Sequence, residues 1–463
     1  MKKPVIAVVA VVAVAAVAGG GYGWARHQGQ VALEQATQGI RAGLAPNGSF
    51  TYASADVHPF QHAADLSTVA LRATDGTLLT ADHVTIVSDG DGRISNLHAS
   101  GLRIKGTAQD GSATAATFDG KDISFQPPVA GGPIKIDPAV MTFAGITLRD
   151  LAFTGPASSG KLASLEIDDY GAGRPSSFVM EGFSTPVAAL EHIDHAGFDS
   201  FRTFGIDFAS AIDAVEHNTK MPQLSSGEVR VELDGLYGAE GADKHFVIRK
   251  SVMSGKQGAD GTSSVAKLEL AGVYIEPMAS ARRVEFAELG LHKLTGSFSA
   301  TASYQLAGGK FEMSPLLEVD GFGTLSFGLK LAHLDASGLV GAKPDPAALL
   351  ALARNTQVVS GYVSLVDAGL VDWALTTASR KLGMPKDQLR AQAIDQARQN
   401  TNFDALPDGE LMRAAVIAFI THGGKIGIAM HPPAPINLLD VIQAGQNDPM
   451  NLVNQVGLSV TGS

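Results

Sequence analysis

FSATASYQLAGGKFEMSPLLEVDGFGTLSFGLKL, residues 298–331, is the stretch that decides the fold. Phe298, Ala300, Ala302, Tyr304 and Leu306 alternate with Ser299, Thr301, Ser303 and Gln305. A period of two sends successive side chains to opposite faces, so this is a long strand with one dry face. Gly308-Gly309 supplies a turn, after which Phe311 and Met313 resume the alternation, as in a hairpin. Leu325, Phe327, Leu329 and Leu331 repeat it against Ser326, Gly328 and Lys330. Such dry faces have two readings: they close an ordinary sandwich core, or they line a groove for acyl chains. Pattern alone does not separate these, since both need one apolar face. Phe298, Ala300, Tyr304, Leu306, Leu325, Phe327, Leu329 and Leu331 are therefore the candidate ligand-binding residues, as the lining of an apolar groove.

Shorter alternations extend the pattern on the N-terminal side: Val84/Ile86, Leu102/Ile104, Ile123/Phe125, Ile146/Leu148, Val229/Val231/Leu233 and Leu268/Leu270. Asp-Gly pairs at 75–76, 89–90, 91–92, 110–111, 119–120, 234–235, 260–261, 320–321 and 408–409 read as tight turns, because Gly accepts the positive φ that such turns need. A loose unit of apolar alternation, Gly, then apolar alternation recurs, as in FAGITLRDLAF (143–153) and LELAGVYI (268–275). Between 185 and 225 the pattern falters, and residues 206–217 fit a helix or a strand. The class expected is mainly β, α+β in total, with a twisted antiparallel sheet or curved sandwich over 49–341.

From 342 to 463 the texture changes to mixed helix and strand. Asp345-Pro346 opens a helix over 346–354 with a capping residue and a first-turn proline. Val371, Ala374, Leu375, Ala378 and Leu382 have helical spacing. Pro385-Lys386 opens another helix to about 399, and Met412, Ala415, Val416 and Phe419 mark a third. Ile426, Ile428 and Met430 return to strand, and Leu458 and Val460 suit a closing strand.

The N-terminus, MKKPVIAVVAVVAVAAVAGGGYGWARH (1–27), is uncharged from Pro4 to Ala25. That run is about the ~20 residues needed to span a bilayer. Lys2 and Lys3 would stay cytoplasmic and Tyr22 and Trp24 would sit at the far interface. Ala16-Val17-Ala18 also fits a signal-peptide cleavage site, so anchor and cleaved leader both stand. Either places the body beyond the inner membrane of a bacterium, in the periplasm. Residues 28–48 read as a helical stalk, with Val31, Leu33, Ala36, Ile40 and Leu44 on one stripe and Pro46-Asn47-Gly48 ending it.

Composition limits the chemistry. The chain has 463 residues, net charge −11 and no Cys. Disulfides, thiolate zinc sites and thiol catalysis are excluded. Cations do not cluster beyond Lys2-Lys3, so no nucleic acid partner is expected. GPASSGK (155–161) has the glycine-lysine spacing of a phosphate loop, but Leu162 stands where Ser or Thr must hold Mg²⁺. DGDGR (89–93) opens like a calcium loop, yet Ser100 stands at the position that needs Glu. GGGYG (19–23) sits in the apolar leader. EHIDH groups Glu191, His192, Asp194 and His195, with Asp199 nearby, types that can bind a divalent metal or simply solvate a loop. HPFQH (58–62) is broken by Pro59. No nucleophile elbow or paired-histidine zinc helix is present. No catalytic residue, metal or cofactor is expected, and the chain is not read as an enzyme.

The order of parts, with MKKPVIAVVAVVAVAAVAGGGYGW, the stalk, and the opening strands SFTYASADVHPF…LSTVALRATDGTLLTADHVTI, resembles the AsmA-like proteins of the bacterial envelope. The resemblance covers about the first 100 residues. It implies handling of a hydrophobic ligand or envelope maintenance rather than catalysis, and carries over no functional residue. The function expected is that of a single-pass envelope protein that binds or shields a lipid. The alternative is a structural or interaction subunit of an envelope, secretion or polymer-export assembly, and an envelope hydrolase comes third.

Overall fold

The computed structural model describes residues 34, 37, 38, 41, 48–73, 75–89, 93–106, 111–124, 141–155, 159–190, 193–216, 227–258, 261–277, 286–335, 346–406, 408–447, 452, 453 and 455–462. The proposed anchor (1–27) and most of the stalk lie outside them. The protein is mainly β, 59% strand against 24% helix, with every strand pairing antiparallel and a helical C-terminal part. The chain divides between Gly241 and Ala242 into two compact units.

The first unit is a meander. β1 (Ser49–Thr51) and β2 (Ser54–His58) both pair with one edge of β3 (Ala63–Arg72). The sheet then runs through β4 (Leu78–Ser88), β5 (Ile94–Lys105), β6 (Ser112–Ile123), β7 (Phe143–Thr154), β8 (Ser159–Tyr170), β9 (Ser176–Leu190), β10 (Ile193–Ile206) and β11 (Glu228–Glu240). The ambiguous region resolves into strand and then helix: β10 ends at Ile206 and α1 spans Phe208–Glu216. Asp207 caps it, its carboxylate accepting from the Ser210 amide at 2.9 Å.

A crease crosses this sheet. Thr68 in β3, Gly101 in β5, Asp150 in β7, Gly182 in β9 and Gly235 in β11 all have positive φ. Each lies where the ladder skips pairs without losing register. β4 and β5, for example, pair at Thr80–Arg103 and again at His83–Ser100. The intervening strands press against it: a Cβ on Gly101 would stand 2.0 Å from the Asp82 carboxylate, and one on Gly235 equally close to that of Asp199. The inward set therefore advances by one at the crease, from Leu66 to Val69 in β3 and from Ala81 to Val84 in β4. The loose apolar–Gly–apolar unit of the sequence is this crease, with Asp150 taking the glycine's place in 143–153. Asp119-Gly120 and Asp234-Gly235 lie inside β6 and β11 and are not hairpin turns, and Asp408-Gly409 opens a helix. The dipeptide reports a tolerance for positive φ, and the neighbouring strands decide whether the chain reverses there.

The dry face of the first unit is closed. Ile94, Leu97, Phe118 and Ile123 are fully buried in one cluster with Phe50, Leu66, Ile86 and Ile146. Ala209, Phe208 and Ile212 of α1 join the cover, as does the stacked pair Phe143–Tyr170, with centroids 4.7 Å apart.

The second unit is another meander: β12 (Asp243–Gln257), β13 (Ser263–Ile275), β14 (Leu294–Gln305), β15 (Lys310–Val319), β16 (Gly323–Ala332), β17 (Gln357–Asp367), β18 (Lys425–Met430) and β20 (Leu458–Gly462), with β19 (Ile436–Asn437) beside the start of β17. Here Gly272 repeats the crease, opposite Arg249. Helices α2 (Pro346–Asn355), α3 (Leu370–Leu382), α4 (Lys386–Gln399), α5 (Gly409–His422) and α6 (Leu438–Asn447) follow the expected spacing, α6 excepted, which the sequence did not signal. Helix α5 packs on β20, where a Cβ on Gly462 would meet Ala415 at 2.9 Å. Trp373 of α3 donates its indole N–H to Leu289 O at 2.8 Å and meets Phe322 edge-on. No helix among the described residues is long and apolar enough to cross a membrane.

Candidate ligand-binding face

Directly paired residues of neighbouring strands share a face, so register tells which side chains meet. In the second unit one cross-strand row reads Leu270, Phe298, Leu317, Leu325, Leu365 and Ile426, from β13 to β18. A second reads Phe327, Val363, Ile428 and Val460. A third reads Met253, Leu268, Ala300 and Pro315. No polar side chain interrupts any of them. The reverse of the sheet is more polar: Glu312, Lys330 and Ser360 form one row, and Ser299, Ser326 and Ser364 share another that Leu316 interrupts.

Unlike the first unit's dry face, this one is open. Leu317 is 41% exposed, Leu325 36%, Phe327 38%, Val363 48% and Ile428 45%. These five leave on the order of 300 Å² of apolar surface in contact with water, comparable to the largest patch on a typical monomer, which is often functional. The reason is topological: among the described residues, the helices that follow β17 pack mainly on one another and on the β18–β20 end of the sheet rather than on its middle strands.

Of the candidate residues, Phe298, Ala300, Leu325, Phe327 and Leu329 lie on this face, half-buried or exposed. Tyr304 is half-buried and donates its hydroxyl to Leu334 O at 3.1 Å. Leu306 is not on the strand; it falls in the turn after β14 with helical φ/ψ and is 63% exposed. Leu331 is buried. Sequence reasoning missed Leu317, Val363 and Ile428 as members of the patch. Val363 and Leu365 alternate with Ser364 in VVSGYVSLVD (358–367), which was the available signal for β17.

Titratable clusters elsewhere are held by local partners. Glu191 and His192 lie outside the described residues. Asp194 bonds the adjacent His195 ring and accepts the Gly241 amide at 2.9 Å, and the Gly241 bond is the main reason its carboxyl is held below the usual range. Asp65 lies between His58 (3.0 Å) and His83 (3.3 Å) and accepts the Thr85 hydroxyl at 2.5 Å, which lowers its pKa most. Tyr274 donates to Glu276, which raises the phenol to about 12, and His245 lies 3.2 Å from the same carboxylate. A phenol so raised stays protonated at neutral pH and acts as a donor, not a nucleophile. Among the described residues no three His, Asp or Glu side chains are grouped to hold a metal ion. GPASSGK runs into strand β8 rather than the helix a phosphate loop requires.

A family model whose description is "Uncharacterized protein" matches residues 316–463, about a third of the chain, from within β15 through the helices to the end. No curated protein matches.

Proposed function

We propose that this chain is a membrane-anchored periplasmic envelope protein that binds or shields a lipid acyl chain on the open face of its second unit. One observation carries the reading: an uninterrupted apolar row, Leu270 to Ile426, crosses six strands and stays partly exposed in its middle. With strands about 4.8 Å apart the row is ~24 Å long. That exceeds the ~15 Å half-thickness of a bilayer's hydrocarbon core, so an extended acyl chain fits lengthwise. The rows offer no hydrogen-bond donor or acceptor, which suits a ligand contributing only hydrocarbon there. The uncharged segment 4–25 and the AsmA-like order of parts support a place beside the membrane that would supply such a ligand.

The test is retention of lipid. The full chain, extracted and purified in a fluorinated, sugar-free surfactant that mixes poorly with hydrocarbon, is weighed by native mass spectrometry and extracted for lipids. Stoichiometric lipid on the wild type, lost in a Phe327→Asp/Val363→Asp double variant, supports the reading. A folded, lipid-free wild type overturns it, and a stoichiometric protein on the same face would move the assignment to the assembly-subunit alternative.

A further inference from the structure

The polar side of the same sheet has a shallow depression whose lining joins polar side chains to apolar ones. About 150 Å³ in volume, it is lined by Glu312, Ser314, Lys330, Ser360, Tyr362 and His431, with Met313 and Leu329 beside them, around Gly328. Gly328 makes it. On β16 this position faces the polar side directly opposite Tyr362 of β17. A Cβ there would come within 2.3 Å of Cε1 of the Tyr362 ring, so the ring lies down over the bare backbone. An aromatic ring laid on a glycine in this way stabilises the cross-strand pair. It also fixes the ring and turns its other side to solvent: Tyr362 is 44% exposed.

Next to this platform, Lys330 Nζ and Glu312 Oε1 are 2.6 Å apart, both about half exposed. The pair carries no net charge, so it attracts neither an anion nor a cation selectively. What it does present is a strong donor beside a strong acceptor. A vicinal diol matches that arrangement, one hydroxyl donating to the carboxylate and its neighbour accepting from the ammonium. Ser360, Ser314 and His431 add further polar partners around the rim. An aromatic platform for C–H edges with a donor–acceptor pair for adjacent hydroxyls is complementary to a pyranose ring.

The geometry points to a saccharide-binding site on the polar face of the second unit, taking a neutral pyranose stacked on Tyr362 with a vicinal diol on the Glu312–Lys330 pair. This goes beyond the lipid reading and does not depend on it, since the two surfaces are opposite sides of one sheet.

The test uses the full chain in the same sugar-free surfactant, with maltotriose and chitotriose as probes, read by saturation-transfer NMR and calorimetry. At least one probe is expected to bind, with transfer strongest on its ring C–H protons. Tyr362→Ala should weaken that binding tenfold or more, and Glu312→Gln with Lys330→Met should do the same without lowering the melting temperature. Phe327→Ala, on the other side of the sheet, should leave it unchanged. Absence of binding by both probes to a folded wild type overturns the proposal, as does binding that Tyr362→Ala leaves intact. A Tyr362→Ala variant that loses stability while the wild type binds neither sugar would assign the ring to sheet packing alone.

Discussion

Phe327→Ala separates an open binding face from a core. Phe327 is 38% exposed. Of the ~200 Å² that a phenylalanine offers, about 75 Å² therefore remains for a ligand to cover. At ~25 cal/mol/Å² that surface is worth about 1.9 kcal/mol on complete burial, of which alanine retains a small part. Losing about 1.5 kcal/mol weakens binding roughly tenfold. Val363, directly opposite at 48% exposure, should add about 1 kcal/mol when truncated, with some non-additivity because the two side chains touch one site. The fold should suffer little. A half-open position leaves no sealed cavity, so we expect a stability cost near 1 kcal/mol instead of the ~3–5 kcal/mol of a buried phenylalanine. The assay is titration of the full chain with a fluorescent fatty acid, alongside urea denaturation of each variant. Affinity within twofold of wild type for the double variant refutes the reasoning. So does a loss of several kcal/mol in stability, which would make Phe327 part of a closed core.

The closed face of the first unit should respond in the opposite way. Phe118→Ala, at a fully buried position, should cost about 3–5 kcal/mol in urea unfolding and leave fatty-acid affinity unaltered wherever the variant is folded. At the crease, Gly101→Ala places a Cβ at φ +61 and 2.0 Å from the Asp82 carboxylate, so a loss of about 1–3 kcal/mol is expected, read as a lower urea midpoint. Acid stability tests Asp65. Its pKa is depressed in the folded state, chiefly by the Thr85 hydroxyl, so its contribution is present above the ordinary carboxylate value and disappears as pH falls through the folded one. The gap in urea midpoint between wild type and Asp65→Asn should therefore be present at pH 7 and shrink at pH 3, and a gap that does not change with pH would contradict the assignment.

The hairpins of β14 to β16 were legible because each has a clean two-residue alternation and a glycine turn between. Helices α2 to α5 were legible from spacing and from signals such as Asp345-Pro346. The crease was visible only as a loose repeat. A break in alternation at Thr68 or Asp150 looks like noise until the neighbouring strands show the same break in register. Thr68, β-branched at φ 48, carries no local signal for that conformation at all. The open apolar face was half legible. Alternation marks Phe298 and Phe327 as apolar-facing, but whether a face is closed, as at Phe118 within the first unit's own cluster, or open, as at Val363, depends on which distant elements of the same unit come to rest on it. That is a long-range packing outcome that no local pattern encodes. The polar depression was not legible, because it needs Gly328 and Tyr362, 34 positions apart in sequence, to fall opposite each other.

The most direct measurement of the central claim is photocrosslinking in cells. Cells expressing the full chain take up a fatty acid bearing a diazirine and a clickable tag, are irradiated before any surfactant is added, and the labelled peptides are mapped by mass spectrometry. The account predicts label on residues 311–331, 357–367 and 425–430, lost with Phe327→Asp/Val363→Asp. Label confined to the N-terminal segment, or to the first unit, would contradict it.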